Sequence, residues 1–157
     1  IMNTIAAKAI CFGEALTPQF GDYAQQILRN AKAMEVVFAK EGVRMITGGT
    51  SNHLILADVF GSLGISGHEA ETLLDQVGIT LNKNAIADDT RKPMDPSGIR
   101  FGTPAITTRG FKEAESARVA ELMIETLRQK DDTKKLGEIR EEIRTLCQRL
   151  PIPESFV

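Results

Sequence analysis

Apolar residues recur at three- and four-residue spacing over much of this chain, so helices dominate the pattern and short strands fill the gaps. Ile1, Ile5, Ala9 and Phe12 fall on one side of a helix expected over residues 1 to 15. Thr17-Pro18 reads as an N-cap followed by proline at the first helical position, where its missing N–H leaves no bond unmade. Phe20, Tyr23, Ile27, Met34, Val37 and Phe38 carry the period on to a stop signal at Gly42. At 1.5 Å per residue this helix is roughly 36 Å long, which suits an element bridging two domains. The chain opens directly on a helix-like apolar pattern with no preceding cap or leader, so it is expected to be cut from a longer polypeptide.

Strand signals follow. Val43–Thr47 and Leu54–Val59 flank the turn-rich run Gly48-Gly49-Thr50-Ser51-Asn52, which predicts a hairpin-like pair. Ser66-Gly67-His68-Glu69 is a capping box, and the helix it opens carries Ala70, Leu73, Leu74 and Val77 before stopping at Gly78. Ile79–Asn82 is expected as a short strand, residues 84–98 as a polar loop, and Ile99–Thr107 as strand broken by Gly102 and Pro104. Phe111 to Gln129 reads as a helix with Ala117, Ala120, Met123, Ile124 and Leu127 inward. Asp131 or Asp132 caps a last helix with Leu136, Ile139, Ile143, Leu146 and Leu150 inward, closed by Pro151 and Pro153. The expected fold is α+β: a small, mostly antiparallel sheet covered by helices, with a long helix leading in.

Composition narrows the function classes. With 157 residues the chain can bury one real core, and 42% hydrophobic against 25% charged residues excludes disordered and fibrous classes. A net charge of −2 without any long single-sign block argues against a nucleic-acid partner. No apolar run approaches the ~20 residues needed to cross a bilayer, so no membrane partner is expected and the protein reads as cytoplasmic. Cys11 and Cys147 lie far apart in helix-like apolar patterns and are expected as buried thiols. No C-x-x-C or Cys/His cluster offers a zinc or redox motif, and no metal site is expected.

Three loops concentrate residues suited to chemistry. The glycines of Gly48-Gly49-Thr50-Ser51-Asn52-His53 can either cradle an anion with backbone N–H groups or form a tight structural turn; a phosphate-binding spacing is missing. His53 has no second ligand or base partner in sequence and reads as a hydrogen-bonded structural histidine, whereas His68 reads as an exposed residue at a helix start. In Asn82-Lys83-Asn84 the asparagine side chains offer both donors and an acceptor and can read an amide-like heterocycle through paired hydrogen bonds, and they are equally ordinary turn residues. In Ser97-Gly98-Ile99-Arg100-Phe101-Gly102 a lone arginine sits in an apolar strand between glycines that permit close approach. A guanidinium buried there must meet a carboxylate or phosphate, from a ligand or from an internal Asp or Glu. Its planar fork matches a carboxylate through two parallel hydrogen bonds, which lysine cannot reproduce.

Taken in order, Ile5-Ala6-Ala7-Lys8-Ala9, Gly48-Gly49-Thr50 with Asn52-His53-Leu54, Gly78-Ile79-Thr80 with Asn82-Lys83-Asn84, Ser97-Gly98-Ile99-Arg100 with Gly102-Thr103-Pro104-Ala105, and Thr107-Thr108-Arg109-Gly110-Phe111-Lys112 resemble the serine hydroxymethyltransferase family. The resemblance covers essentially the whole chain. It implies the C-terminal domain of a fold-type I pyridoxal 5'-phosphate enzyme. Residues 1–42 would be the end of the large domain and the interdomain helix, and residues 43–157 the C-terminal small domain. The implied activity interconverts serine plus tetrahydrofolate with glycine plus 5,10-methylenetetrahydrofolate, in a cytoplasmic homodimer. In such an enzyme the Cα–Cβ bond of serine breaks with the cofactor ring as electron sink.

By the same resemblance Arg100 holds the α-carboxylate of serine or glycine, and Asn84 contacts the folate. The loop carrying Lys92, Pro93 and Met94 lines the pterin site, although Ser and Phe are usual where Lys92 and Met94 stand. Ser51 replaces the usual aspartate of that glycine-rich loop, and Asn3 stands where histidine is common. The family's cofactor-bearing lysine follows a threonine-rich stretch ending in histidine, a context that no lysine here has. No catalytic residue is therefore expected within the chain, which is expected to be inactive alone. A non-catalytic α+β ligand-binding or assembly module, with the first helix as a docking face, is the reading from a different class. Another pyridoxal-phosphate enzyme of the same fold type would keep the role of Arg100 and lose that of Asn84.

Overall fold

The helix starts follow their caps. In a computed structural model describing residues 1–154, the Thr17 hydroxyl accepts the Phe20 N–H at 3.3 Å and opens helix α2 (Pro18–Lys40), which follows α1 (Met2–Ala15). Ser66 accepts the Glu69 N–H at 3.2 Å to open α4 (Gly67–Gln76). The reciprocal half of that capping box is not made, because the Glu69 carboxylate reaches Lys130 at 2.9 Å instead. Of the two aspartates, it is Asp132 that caps the last helix, α7 (Thr133–Arg149), by accepting the Lys135 N–H at 3.0 Å.

Four short strands form one antiparallel sheet in the order β1 (Arg44–Met45), β2 (Leu54–Asp58), β4 (Gly98–Gly102), β3 (Asn82–Asn84). The hairpin-like pair is therefore β1 and β2. Several boundaries differ from the sequence reading. The strand expected over Val43–Thr47 shortens to Arg44–Met45 before a 3-10 turn at Ile46–Gly48. Asn84 and Gly98 belong to β3 and β4 rather than to the loop between them. Ile79 is not in a strand: Gly78 turns left-handed at φ 89° and the Ile79 N–H bonds back to the Leu74 carbonyl, so Ile79 completes the end of α4. Strand β4 ends at Gly102, and Pro104 opens a short helix, α5 (Pro104–Thr108), where its fixed φ suits the first turn. A further helix, α3 (Val59–Leu63), was not anticipated. Asp58 at the end of β2 caps it by accepting the Gly61 N–H at 2.8 Å.

Alternation along the strands decides what the sheet buries. Met45, Ile55, Ala57 and Ile99 point into a core shared with Phe38 of α2, Leu74 of α4, and Met123 and Leu127 of α6 (Glu113–Arg128). A smaller cluster of Val77, Leu122, Ile139 and Ile143 seats α7. The opposite face of the sheet carries Leu54, Leu56, Asn82, Asn84 and Arg100, which are exposed or half-buried.

Polar side chains fasten α2 to α5 and α6. Asn30 is fully buried; its Nδ2 donates to Thr107 Oγ1 at 2.8 Å and to the Phe111 carbonyl at 2.9 Å. Thr103 Oγ1 donates to the Ile27 carbonyl at 2.8 Å, and the Tyr23 hydroxyl lies 2.8 Å from Thr108 Oγ1. By contrast every residue of α1 is exposed, Ile5 and Phe12 included. Cys11 is thus exposed rather than buried, since nothing among the described residues covers its helix, and Cys147 is half-buried beside the α7 cluster.

Arg109 has a structural task. Its Nε donates to the Leu150 carbonyl and its Nη2 to the Cys147 carbonyl, both at 2.8 Å, so it neutralises the last turn of α7. Arg109→Ala is expected to cost about 1 kcal/mol. Hydrogen exchange should speed up in the last turn of α7 and stay unchanged in α6; uniform protection would contradict that role.

Candidate functional site

The strand register assembles the site on the open sheet face. Arg100 of β4 pairs with Leu56 on one side and Asn82 on the other, and Asn84 pairs with Gly98 two residues before Arg100. Because side chains alternate, Arg100, Asn82 and Asn84 share one face, while Ile99 is buried in the core on the other. Lys83 turns away to α4, where Glu71 accepts its Nζ at 2.6 Å and its backbone N–H at 3.0 Å.

Arg100 is exposed, which corrects the expectation of a buried guanidinium. The flanking Gly98 and Gly102 have no side chains to cover it. Among the described residues no carboxylate comes within 4.0 Å of it, so the internal ion pair left open by the sequence has no partner. Every other arginine except Arg140, on the outside of α7, reaches a carboxylate or a main-chain carbonyl. Asp58, on the same sheet face, is engaged by Arg44 at 3.3 Å.

A cleft of about 220 Å³ opens beside Arg100, bounded by Thr47, Gly49 and Thr50 of the glycine-rich loop and by Leu54 and Leu56 of β2. That loop reverses through left-handed backbone at Thr47 (φ 67°) and Gly48 (φ 76°). Glu35 of α2 holds it by accepting the Thr50 N–H at 2.8 Å. Burial would raise the Glu35 pKa, but the Lys32 ammonium and the Thr50 N–H outweigh it and keep the carboxyl below its ordinary range. Asn52 Oδ1 accepts the Leu54 N–H at 2.7 Å, and Thr50 Oγ1 accepts the Asn52 N–H at 3.1 Å. With these N–H groups taken, the geometry is that of a structural turn that walls the cleft rather than an anion cradle. His53 corrects its expectation too: the ring is exposed without a hydrogen bond among the described residues, and only its carbonyl is used, accepting the Thr103 N–H at 3.1 Å. His68 is exposed at the start of α4.

Asn84 is half-buried, with Nδ2 donating to the Ala85 carbonyl at 2.6 Å. Between β3 and β4 the chain loops out and is gathered by Asp89. One carboxylate oxygen accepts the N–H groups of Ile86 and Ser97 at 3.2 and 2.9 Å. The other accepts the Arg91 N–H at 3.0 Å and the Ser97 hydroxyl at 2.7 Å. The Ser97 N–H, against the opposing effect of burial, leads the other donors in pulling the Asp89 pKa far below the ordinary carboxylate range. Arg91 lies 4.3 Å over the Phe60 ring and pairs with Asp95. Lys92, Pro93 and Met94 stand exposed on the outer part of this loop, with no hydrogen bond to Arg100 or Asn84.

The structure thus brings Arg100 and Asn84 onto one face and leaves Lys92, Pro93 and Met94 on the loop between their strands. Sequence reasoning missed Leu54, Leu56 and Glu35 as parts of this site. Leu54-Ile55-Leu56-Ala57 is apolar on both faces, so alternation could not tell which side faces Arg100; only the register does. Glu35 reads as one polar residue on an amphipathic helix, and nothing in its spacing points to the loop.

The family model for serine hydroxymethyltransferase matches residues 1–123. Serine hydroxymethyltransferase of Koribacter versatilis (strain Ellin345) is 49% identical over 152 residues, covering 97% of this chain and 35% of that protein. The serine hydroxymethyltransferase of Francisella tularensis subsp. holarctica (strain OSU18) is likewise 49% identical over 97% of the chain and 36% of its own length. The chain therefore spans about a third of the length of these curated relatives.

Proposed function

Because the chain belongs to the serine hydroxymethyltransferase family, we propose that it forms the C-terminal part of an enzyme exchanging a one-carbon unit between serine and tetrahydrofolate. The products are glycine and 5,10-methylenetetrahydrofolate. In this reading residues 1–42 are the end of a large domain and its connecting helix, residues 43–157 are the small domain, and the whole is a cytoplasmic homodimer. The exposed apolar side of α1 supports it, since a preceding domain would cover that side.

The observation that carries the reading is Arg100, without an ion-pair partner among the described residues, on an open face beside Asn84. A planar fork with no carboxylate partner among the described residues is free to take an α-carboxylate through two parallel hydrogen bonds. Leu54 and Leu56 beside it lower the local dielectric and strengthen that pairing. Asn84, with donors and an acceptor on one side chain, suits the amide-like edge of a pterin, and Lys92, Pro93 and Met94 border it. The cleft residues fit the carboxylate end of an amino acid but do not fit pyridoxal 5'-phosphate, since no lysine lines the cleft to hold an aldehyde. We assign that cofactor to the remainder of the polypeptide, and the chain alone is accordingly inactive.

Arg100→Lys tests the reading in a full-length enzyme carrying this chain as its C-terminal third. Keeping the charge but losing the fork is expected to raise the KM for serine at least about tenfold, with a smaller effect on the KM for tetrahydrofolate. Unchanged KM and kcat in that variant would remove Arg100 from the substrate site.

A further inference from the structure

The loop between β3 and β4 separates Asn84 from Arg100 in sequence, yet the two must keep a fixed spacing if one contacts folate and the other the amino acid. Asp89 bonds to both ends of that loop. Toward Asn84 it takes the N–H of Ile86, two residues after the asparagine. Toward Arg100 it takes the N–H and the hydroxyl of Ser97, three residues before the arginine. Ser97 in turn offers its carbonyl to the Phe60 N–H at 3.0 Å, so the entry to β4 is held from two directions.

The chemistry demands a carboxylate. Four donors converge on two oxygens, two on each, and an ionised carboxylate is the side chain that accepts at both positions. An amide of the same shape would turn an NH2 group toward at least one main-chain N–H, that of Arg91 on one side or those of Ile86 and Ser97 on the other. The packing at Gly98 leaves little slack for correction elsewhere: a Cβ there would stand 2.6 Å from Ile86 Cγ2 and 2.9 Å from the Asn84 carbonyl oxygen. The two ends of the loop are therefore in contact as well as jointly bonded to Asp89.

We propose that Asp89 is a positioning residue that locks the β3–β4 register in which Asn84 and Arg100 share a face, and so governs the binding of both substrates without touching either. This rests on the assignment of those two residues made above. A residue needed only for folding would change stability; a residue that locks this register changes both Michaelis constants together.

The test is Asp89→Asn in a full-length enzyme carrying this chain, with Ser97→Ala as a milder variant that removes one of the four donors. Ile139→Val, in the α7 cluster away from the loop, is the control for a general loss of stability. Asp89→Asn is expected to raise the KM for serine and the KM for tetrahydrofolate each roughly tenfold, with kcat falling less, because misplaced binding groups lose orientation rather than chemistry. Ser97→Ala should shift both constants in the same direction by a smaller factor, and Ile139→Val should shift neither. Asp89→Asn with a lowered Tm but both KM values within twofold of the parent overturns the proposal.

A parent enzyme that fails to transfer the one-carbon unit from serine to tetrahydrofolate would instead defeat the functional reading. The positional claim is then decided on the full-length polypeptide carrying this chain, by amide NMR. Asp89→Asn should move the resonances of both Asn84 and Arg100, whereas changes confined to residues 86–97 would refute it. If Asp89→Asn does not fold, the same comparison is made with Ser97→Ala.

Discussion

Asn30→Asp is expected to destabilise the protein by about 3–5 kcal/mol at neutral pH, the cost of an unpaired buried charge. The two side chains have the same shape, so packing does not change. What changes is the sign of the groups in the seam between α2, α5 and α6. Asn30 is fully buried, and its Nδ2 donates to Thr107 Oγ1 and to the Phe111 carbonyl. The Thr107 hydroxyl already gives its proton to the Thr103 carbonyl at 2.8 Å, so both partners of Nδ2 present lone pairs. An aspartate would aim an oxygen at two acceptors and keep one donor, Gln26 Nε2 at 2.8 Å.

The pH dependence identifies the cause. Burial raises the folded-state pKa of the introduced carboxyl above its unfolded value, so the folded variant binds the extra proton more readily. The deficit is then largest above the folded pKa and shrinks as pH falls toward the ordinary carboxylate range. Denaturation of parent and variant at pH 7.5 and at pH 5 should show the gap narrowing at the lower pH. Equal gaps at both values would mean that the aspartate is solvated and the seam is not dry.

That seam was not legible in the sequence, and the reason is general to this fold. Amphipathic spacing and caps such as Thr17 and Asp132 announced the long helices because each signal is local. The ordered loop motifs announced the family for the same reason, since residue identity and spacing suffice. Asn30 looks like one polar residue among several on α2, and its partners lie 77 and 81 positions away. The strands, two to five residues long, were read less well, because their apolar residues serve neighbouring elements too. Ile79 closes α4 rather than opening a strand, and Val59 begins α3.

Arg100 shows the same limit. Ile99 is buried in the core and Phe101 is packed against it, whereas Gly98 and Gly102 have no side chains with which to declare an open face. The run therefore looks like an apolar strand with a stranded charge, and only the register reveals the exposed side. The apolar stripe of α1 is legible in the sequence, but spacing does not show whether anything packs on it, so the expected burial of Cys11 fails and its thiol is exposed.

Gly67→Ala carries the second largest expected effect, because it acts on the strand that presents Arg100. Gly67 opens α4, and its N–H donates to the Pro96 carbonyl at 2.7 Å. A Cβ there would overlap the Gly98 carbonyl oxygen and stand 3.0 Å from the Pro96 oxygen and 3.1 Å from the Gly98 carbonyl carbon. These are main-chain atoms, so no side-chain rotation relieves the overlap; either α4 retreats from the sheet or the start of β4 moves. Retreat would strain the Lys83 pair with Glu71, and movement of β4 would carry Arg100 with it. Overpacking of this kind costs about 3 kcal/mol. For a chain of this size that lowers the Tm by roughly 6–12 °C. Gly137 supplies the matched comparison: it lies inside α7 with nothing within 4 Å of its Cβ position, so Gly137→Ala should gain up to about 1 kcal/mol from helix propensity. Opposite signs for the same substitution at two helical glycines would establish that contact, not backbone freedom, reserves position 67 for glycine. A Gly67→Ala Tm within about a degree of the parent would mean that α4 does not press on Gly98, and the placement of Arg100 would then rest on the pairing of β4 with β2 and β3 and on the Asp89 side of the loop.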